Sequence, residues 1–185
     1  MTNRPRARER LVDAASALFY RDGINATGID RVIARAGVAK ASLYNNFTGK
    51  DELVAAYLEQ RLAQFTRLLD DLDAAHPPPR RVDALLEHLE HAARRGTLRG
   101  CAFANAAIEV SVDSPARAVI GRFYQRLEQY FADALGVDAH TPAVRQLVIC
   151  YDGAMAIAAA FADPSVFATA RALADAAARA TARDE

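Results

Sequence analysis

Apolar residues along this chain recur at intervals of three and four, the period of helices that bury one face, and no stretch alternates with the period of two that marks strands. MTNRPRARER is followed by an amphipathic helix. Two short apolar sets come next, Ile29/Val32/Ile33/Ala36 and Leu43/Phe47, with Gly37-Val38 between them where the chain must turn tightly. Glycine adopts the positive backbone dihedral that ends a helix, so the pair reads as a helix-turn-helix. Thr48 followed by Asp51 marks a capped start for a long helix. Its stripe of Leu53, Val54, Tyr57, Leu58, Leu62, Phe65, Leu69 and Leu72 runs to about Ala74. His76-Pro77-Pro78-Pro79 is expected to break the chain, and a fifth helix to run through Val82, Leu85, Leu86 and Leu89 to about Arg95. Beyond Gly96–Gly100, helices are predicted at about 101–112, 115–135, 142–162 and 164–182. Asp113-Ser114-Pro115, Gly136, Thr141-Pro142 and Asp163-Pro164 separate them, three of these placing a polar cap before a proline. The expected fold is all-α, with about nine helices.

The helix-turn-helix carries the chemistry. With Leu43 and Phe47 pointing inward, Lys40, Ala41, Ser42, Asn45 and Asn46 form an outer face that is cationic, amide-rich and small. A major-groove reader needs such residues: Asn pairs with adenine, Lys donates to guanine O6 and N7, and small side chains let the helix approach the base edges. Thr27 is expected to cap the first helix of the pair, its hydroxyl and the adjacent Gly28 amide offering a phosphate site, with Tyr44 and Lys50 reaching further phosphates. The alternative is two ordinary amphipathic helices with a solvated Asn45-Asn46 surface, which leaves the clustering unexplained.

These residues resemble the N-terminal motif of the TetR family of bacterial transcriptional regulators. Gly23, Thr27, Ala36-Gly37-Val38, Ser42-Leu43-Tyr44, Phe47, Lys50 and Leu53 stand at its characteristic positions, and Ala14-Ala15 with Leu18-Phe19 match its first helix. Ile33 departs from the small residue that many helix-turn-helix sequences keep four places before the turn. The resemblance implies a three-helix DNA-binding head, taken as residues 1–49, and a helical ligand-binding and dimerisation domain, residues 50–185. It further implies a homodimer formed through the helices near 142–162 and 164–182, a small-molecule effector, and repression of a double-stranded DNA operator. The Ala-rich composition of those two helices, from Gly153 to Ala160 and through Ala168, Ala172, Ala176 and Ala180, suits close packing, whether within the chain or across a two-fold axis.

Charge agrees with a DNA-facing N-terminal end. The chain carries 23 basic and 23 acidic residues, yet residues 1–50 hold nine basic and four acidic ones. Arg4, Arg6, Arg8 and Arg10 form a basic arm that either contacts phosphates and the minor groove or simply solubilises the terminus. No signal-peptide pattern and no run of twenty apolar residues occur, so a cytoplasmic protein without a membrane association is expected.

In the remaining sequence, Arg99 to Glu109 resembles a GC-x-x-x-N-x-A-x-E pattern found in the regulatory part of some family members. Cys101, Asn105 and Glu109 share one helical face, so they are candidates to line an effector cavity, together with Phe103, Phe123, Tyr124, Tyr151, Asp152 and Met155. Alternatively Asn105 and Glu109 bond to neighbouring groups and fix helix packing. Cys101, near Arg94, Arg95 and Arg99, could instead serve a thiol-based, redox- or electrophile-responsive repressor. His88 and His91 lack a third ligand, so no metal site is expected. No cofactor motif or catalytic arrangement stands out; a small helical enzyme or ligand carrier whose head has lost DNA binding is the remaining, less favoured alternative.

Overall fold

The computed structural model describes residues 6–181, which form nine helices and no strand: α1 (Ala7–Asp22), α2 (Ile29–Ala36), α3 (Lys40–Tyr44), α4 (Lys50–Ala75), α5 (Pro78–Arg94), α6 (Ala102–Glu109), α7 (Ala116–Leu135), α8 (Pro142–Phe161) and α9 (Val166–Thr181). Two compact units emerge. One comprises the residues up to Gln64 together with Ala102–Arg122, and the other comprises Phe65–Cys101 with the residues from Phe123 onward. The division expected at residue 49/50 follows the start of α4, whereas compactness groups the first half of α4 and all of α6 with the helix-turn-helix.

In the first unit, α1, α2 and α3 pack on one another. Leu11, Ala15, Leu18 and Phe19 of α1 are buried, as are Val32, Ile33 and Ala36 of α2, Leu43, and Phe47 just beyond α3. From α4, Leu53, Val54, Tyr57 and Leu58 are buried too, and the rings of Phe19 and Tyr57 meet edge to face with centroids 5.7 Å apart. Gly37 closes α2 at φ +60°, the left-handed geometry expected of it. The start of α4 is stapled by Thr48, whose amide and hydroxyl both donate to Glu52 Oε2, at 2.7 and 2.9 Å. The capping partner is thus Glu52 rather than Asp51, because α4 opens at Lys50 and so carries Glu52 to the position that reaches back over Thr48.

In the second unit α8 packs on α9, and both pack on α5. The three prolines do not stand apart from α5: Pro77 is its N-cap and Pro78 and Pro79 lie in its first turn, four residues before Val82. A proline there forfeits only an amide that has no intrahelical acceptor. Thr141 caps α8, its Oγ1 accepting from the Val144 amide at 3.5 Å, and Pro142 takes the first helical position as expected. Asp163 accepts from the Ser165 amide at 2.9 Å, and that turn delays α9 to Val166 instead of 164. The helix α8 is long and apolar enough by length and composition to cross a membrane. Arg145, Gln146 and Asp152 interrupt it, and its buried side faces the rest of the unit through Val144, Leu147, Tyr151, Ala154, Met155 and Ala158.

Candidate DNA interface and regulatory residues

The recognition segment is shorter than its sequence pattern suggests. The helix α3 ends at Tyr44, so Asn45 is its C-cap and Asn46 lies past its end, not on its outer face. Lys40, Ala41, Tyr44 and Asn45 are exposed, while Ser42 and Asn46 are half-buried. The Asn46 amide donates to the Ser42 carbonyl at 2.7 Å, which holds the side chain against the helix end. Lys40 Nζ lies 3.1 Å from Asp30 Oδ1, and this bond, with the neighbouring charge, raises the lysine above its ordinary value. Both partners are exposed, so the pair yields readily to another anion.

At the flanks, Gly28 rather than Thr27 caps α2, with φ −75° and ψ 151°. Thr27 faces the interior. It is wholly buried, and its hydroxyl has no hydrogen-bond partner, so the exposed polar group at this corner belongs to the Gly28 backbone. The first amides of a helix lack intrahelical acceptors, and α2 presents such amides beside an exposed glycine. Lys50 is half-buried at the start of α4.

The basic arm divides in two. Arg4 lies outside the described residues. Arg6 opens α1, its amide donating to Glu9 at 2.9 Å. The guanidinium of Arg8 lies 5.2 Å from the centroid of the Phe47 ring. Arg10 is no free arm: its Nη2 donates to the carbonyls of Ala36 and Gly37, each at 2.5 Å, and so caps the end of α2 from α1. Sequence spacing missed this brace because it joins residues 26 and 27 positions apart. The run of arginines was its only trace.

Residues expected to share one effector cavity fall into different places. In the first unit, Phe103 is buried, Asn105 is exposed, and Glu109 is bound to the loop between α1 and α2. The crevice that Asn105 and Glu109 line with Phe19, Tyr20, Ile24 and Tyr57 amounts to about 10 Å³, room for one water at most. At this crevice α6 lies against the aromatic side chains of α1 and α4.

In the second unit, Phe123, Tyr124, Tyr151 and Asp152 do converge, and Met155, one turn beyond Tyr151 on α8, is buried. Phe123 lies 5.0 Å from Tyr124 and 6.3 Å from Tyr151 between ring centroids, and Phe65, not singled out from the sequence, lies 4.9 Å from Phe123. The Tyr124 hydroxyl donates to Asp152 Oδ2 at 2.7 Å, and the Cys101 thiol also bonds to this carboxylate. Burial pushes the Asp152 carboxyl above its ordinary value, and burial and the bond to Asp152 push the Tyr124 phenol up. Asp152 Oδ1 is buried without a hydrogen-bond partner. Cys101 is 4% exposed, and Arg94, expected near it, pairs instead with Glu90.

On α8 and α9, Ile149, Ile157, Phe161 and Leu173 are exposed, Phe161 to 76%. The three on α8 are spaced eight and four apart, one helical face.

Comparisons with known proteins agree with this architecture. Residues 11–57 match the family described as bacterial regulatory proteins, tetR family. The HTH-type transcriptional regulator LmrA of Bacillus subtilis is 31% identical over 85 residues, so the chain spans about half the length of this curated relative, 45%. DhaR, a transcriptional repressor of Mycobacterium sp. (strain GP1), is 24% identical over 146 residues, covering 75% of this chain and 70% of DhaR. The crystal structure of SCO4454, a TetR-family transcriptional regulator from Streptomyces coelicolor, has a TM-score of 0.85 at 31% identity, with 95% of each chain covered. Shared helix order over nearly the whole length, together with the helix-turn-helix built at residues 29–44, shows that this chain belongs to the TetR family of DNA-binding transcriptional regulators.

Proposed function

We propose that the protein is a repressor that binds a palindromic operator as a homodimer and is released by a small molecule bound in its regulatory part. The observation that carries the DNA half is the exposed face of α3, with Lys40, Ala41, Tyr44 and Asn45 outermost and Ser42 and Asn46 at its margin. In this reading Lys40, Ala41, Ser42 and Asn45 face bases, Asn46 braces the end of α3 through the Ser42 carbonyl, and the Gly28 backbone, Tyr44 and Lys50 hold phosphates. The exposed apolar face of α8 and α9 supports the dimer, because a patch of this kind is costly in water and its occupant is a second copy. One five-residue recognition helix offers few base contacts, and pairing two places them in successive major grooves. The cluster of Phe65, Phe123, Tyr124, Tyr151, Asp152 and Met155 supports an effector that is mostly apolar with a hydrogen-bond donor for Asp152 Oδ1. Release follows if the effector prefers a form of the protein that fits DNA poorly, and a coupling of about 1–3 kcal/mol suffices. The protein would act in the cytoplasm, where its operator is.

The test is a titration against duplexes enriched by the wild-type protein from random DNA, at several salt concentrations. Lys50→Ala is expected to weaken binding to all duplexes alike and lower the salt dependence, while Asn45→Ala relaxes base preference. Phe161→Asp is expected to yield monomers by sedimentation that retain helical circular dichroism but lose the specific complex. A monomeric wild type, or no salt-sensitive specific complex, would sink the reading.

A further inference from the structure

Glu109 ends α6, 84 residues from the loop it grips. Its Oε2 accepts the Asn25 amide at 2.6 Å, and its own carbonyl accepts from Asn25 Nδ2 at 3.2 Å, so the two residues are bound at both main chain and side chain. Gly23 lies under the same carboxyl. Its φ of +93° suits glycine alone, and a Cβ there would stand 3.4 Å from Oε2 and 3.5 Å from Oε1 of Glu109. The positive φ, not the space, is what calls for glycine here: a Cβ at these distances would only touch the carboxylate. Between these two contacts Ile24 is buried, and two residues later Thr27 is buried as well, so the loop enters α2 along a single path. The Thr27 side chain is held by packing, since its hydroxyl has no hydrogen-bond partner, while its amide donates to the Ile24 carbonyl at 3.3 Å. The loop's other main-chain bonds are local, from the Gly23 amide to the Phe19 carbonyl at 3.0 Å and from the Thr27 amide to the Ile24 carbonyl at 3.3 Å, and Glu109 adds a polar anchor from a helix distant in sequence.

We infer that Glu109 is a positioning residue for operator binding: its carboxylate holds the Gly23–Asn25 loop and thereby sets the start of α2, the helix on which the recognition helix α3 packs. The inference rests on DNA binding by the helix-turn-helix and on neither the dimer nor the effector. The corner at Thr27-Gly28 and the face of α3 must meet phosphates and bases at once, so a loosened entry to α2 costs contacts made only in the specific complex. Non-specific attraction, which depends on the total cationic charge, is left largely intact.

Reach and charge separate this role from a general one. Glu109→Asp keeps the charge but shortens the side chain by one methylene, withdrawing it from the Asn25 amide. Glu109→Gln loses the charge but keeps an oxygen at the same reach. Both, with Glu109→Ala, are titrated by fluorescence anisotropy against an operator enriched from random DNA by the wild type and against a scrambled duplex. Expected are losses of about tenfold or more at the operator for Ala and Asp, with Gln within about threefold of wild type, and changes under about twofold for all three on the scrambled duplex. Amide hydrogen exchange at Asn25 is expected to quicken in Ala and Asp and to stay slow in Gln. If Asp binds the operator like wild type while Gln does not, charge and not reach is what matters and the inference fails. It fails equally if operator and scrambled duplex weaken together, or if all three variants bind the operator unchanged. Should the alanine variant not fold, the Asp and Gln pair decides alone. A wild type that shows no preference for the enriched operator would overturn the DNA-binding reading itself, a result distinct from any of these.

Discussion

Glu109 in the first unit and Asp152 in the second are both carboxylates near the middle of apolar sequence, and both were candidates for effector contact. Their surroundings separate them. Glu109 has its carboxylate and its main-chain carbonyl engaged by Asn25, beside a crevice of about 10 Å³. Asp152 receives only side chains, from Tyr124 and Cys101, and keeps one buried oxygen without a partner among aromatic rings. A similar contrast separates two smaller groups of bonds. At the turns beside the recognition helix, Arg10, Asn46 and Thr48 also make bonds that involve main-chain groups. Across α5 and α9 the links join charged side chains, Glu90 to Arg171 and Arg94, and Arg171 to Asp83. Side chains that grip the backbone fix its shape. Side chains that grip one another respond to whatever alters their charge.

The sharpest break of this comparison is at Gly37. Alanine there must adopt φ +60°, and its Cβ would stand 3.0 Å from the Arg10 guanidinium that caps α2. Gly37→Ala is expected to cost about 2 kcal/mol in thermal or urea unfolding and to lower operator affinity more than affinity for scrambled DNA. Next comes Glu90, which its bonds to Arg171 and Arg94 hold below the ordinary carboxylate value of 4.5. Its stability contribution is therefore full above that value and is lost as the pH falls through the lowered one. Glu90→Gln is expected to lose about 1 kcal/mol at pH 7, a difference that closes in acid below 4.5.

Asp152 runs the opposite way. Its carboxyl is held above the ordinary 3.8 by burial, so its contribution is full below that value and is lost as the pH rises through the raised one. Asp152→Asn is expected to match wild type in acid and to equal or exceed it at pH 7, by under about 1 kcal/mol in urea unfolding. A loss at neutral pH would show instead that the charge is paired, which would set Asp152 beside Glu109. The smallest effect is expected at Ala162, which caps α8 at φ +51°, a conformation usually left to glycine. Ala162→Gly is expected to raise stability by about 0.5–1 kcal/mol, read as a small rise in melting temperature.

The helix-turn-helix, the cap at Thr141 and the order of the helices were legible because each depends on neighbours a few residues apart. Three features were not. Asn46 carries a recognition residue's chemistry, but a helix of five residues ends before it and turns its amide back to Ser42. Thr27 has the composition of a cap, yet burial turns its hydroxyl inward and leaves capping to Gly28. Asn105 and Glu109 share a helical face as their spacing requires, but the pattern is silent on what that face meets.

Periodicity and turn chemistry therefore settle where helices form and which end of this chain meets DNA, since backbone geometry and solvation act over one or two turns. Long-range packing alone decides whether a polar side chain faces a ligand, a phosphate or the main chain of a distant loop. Arg10 and Glu109 show the reason: the groups they hold lie 26 and 84 residues away, and only the folded core brings them within a hydrogen bond's length.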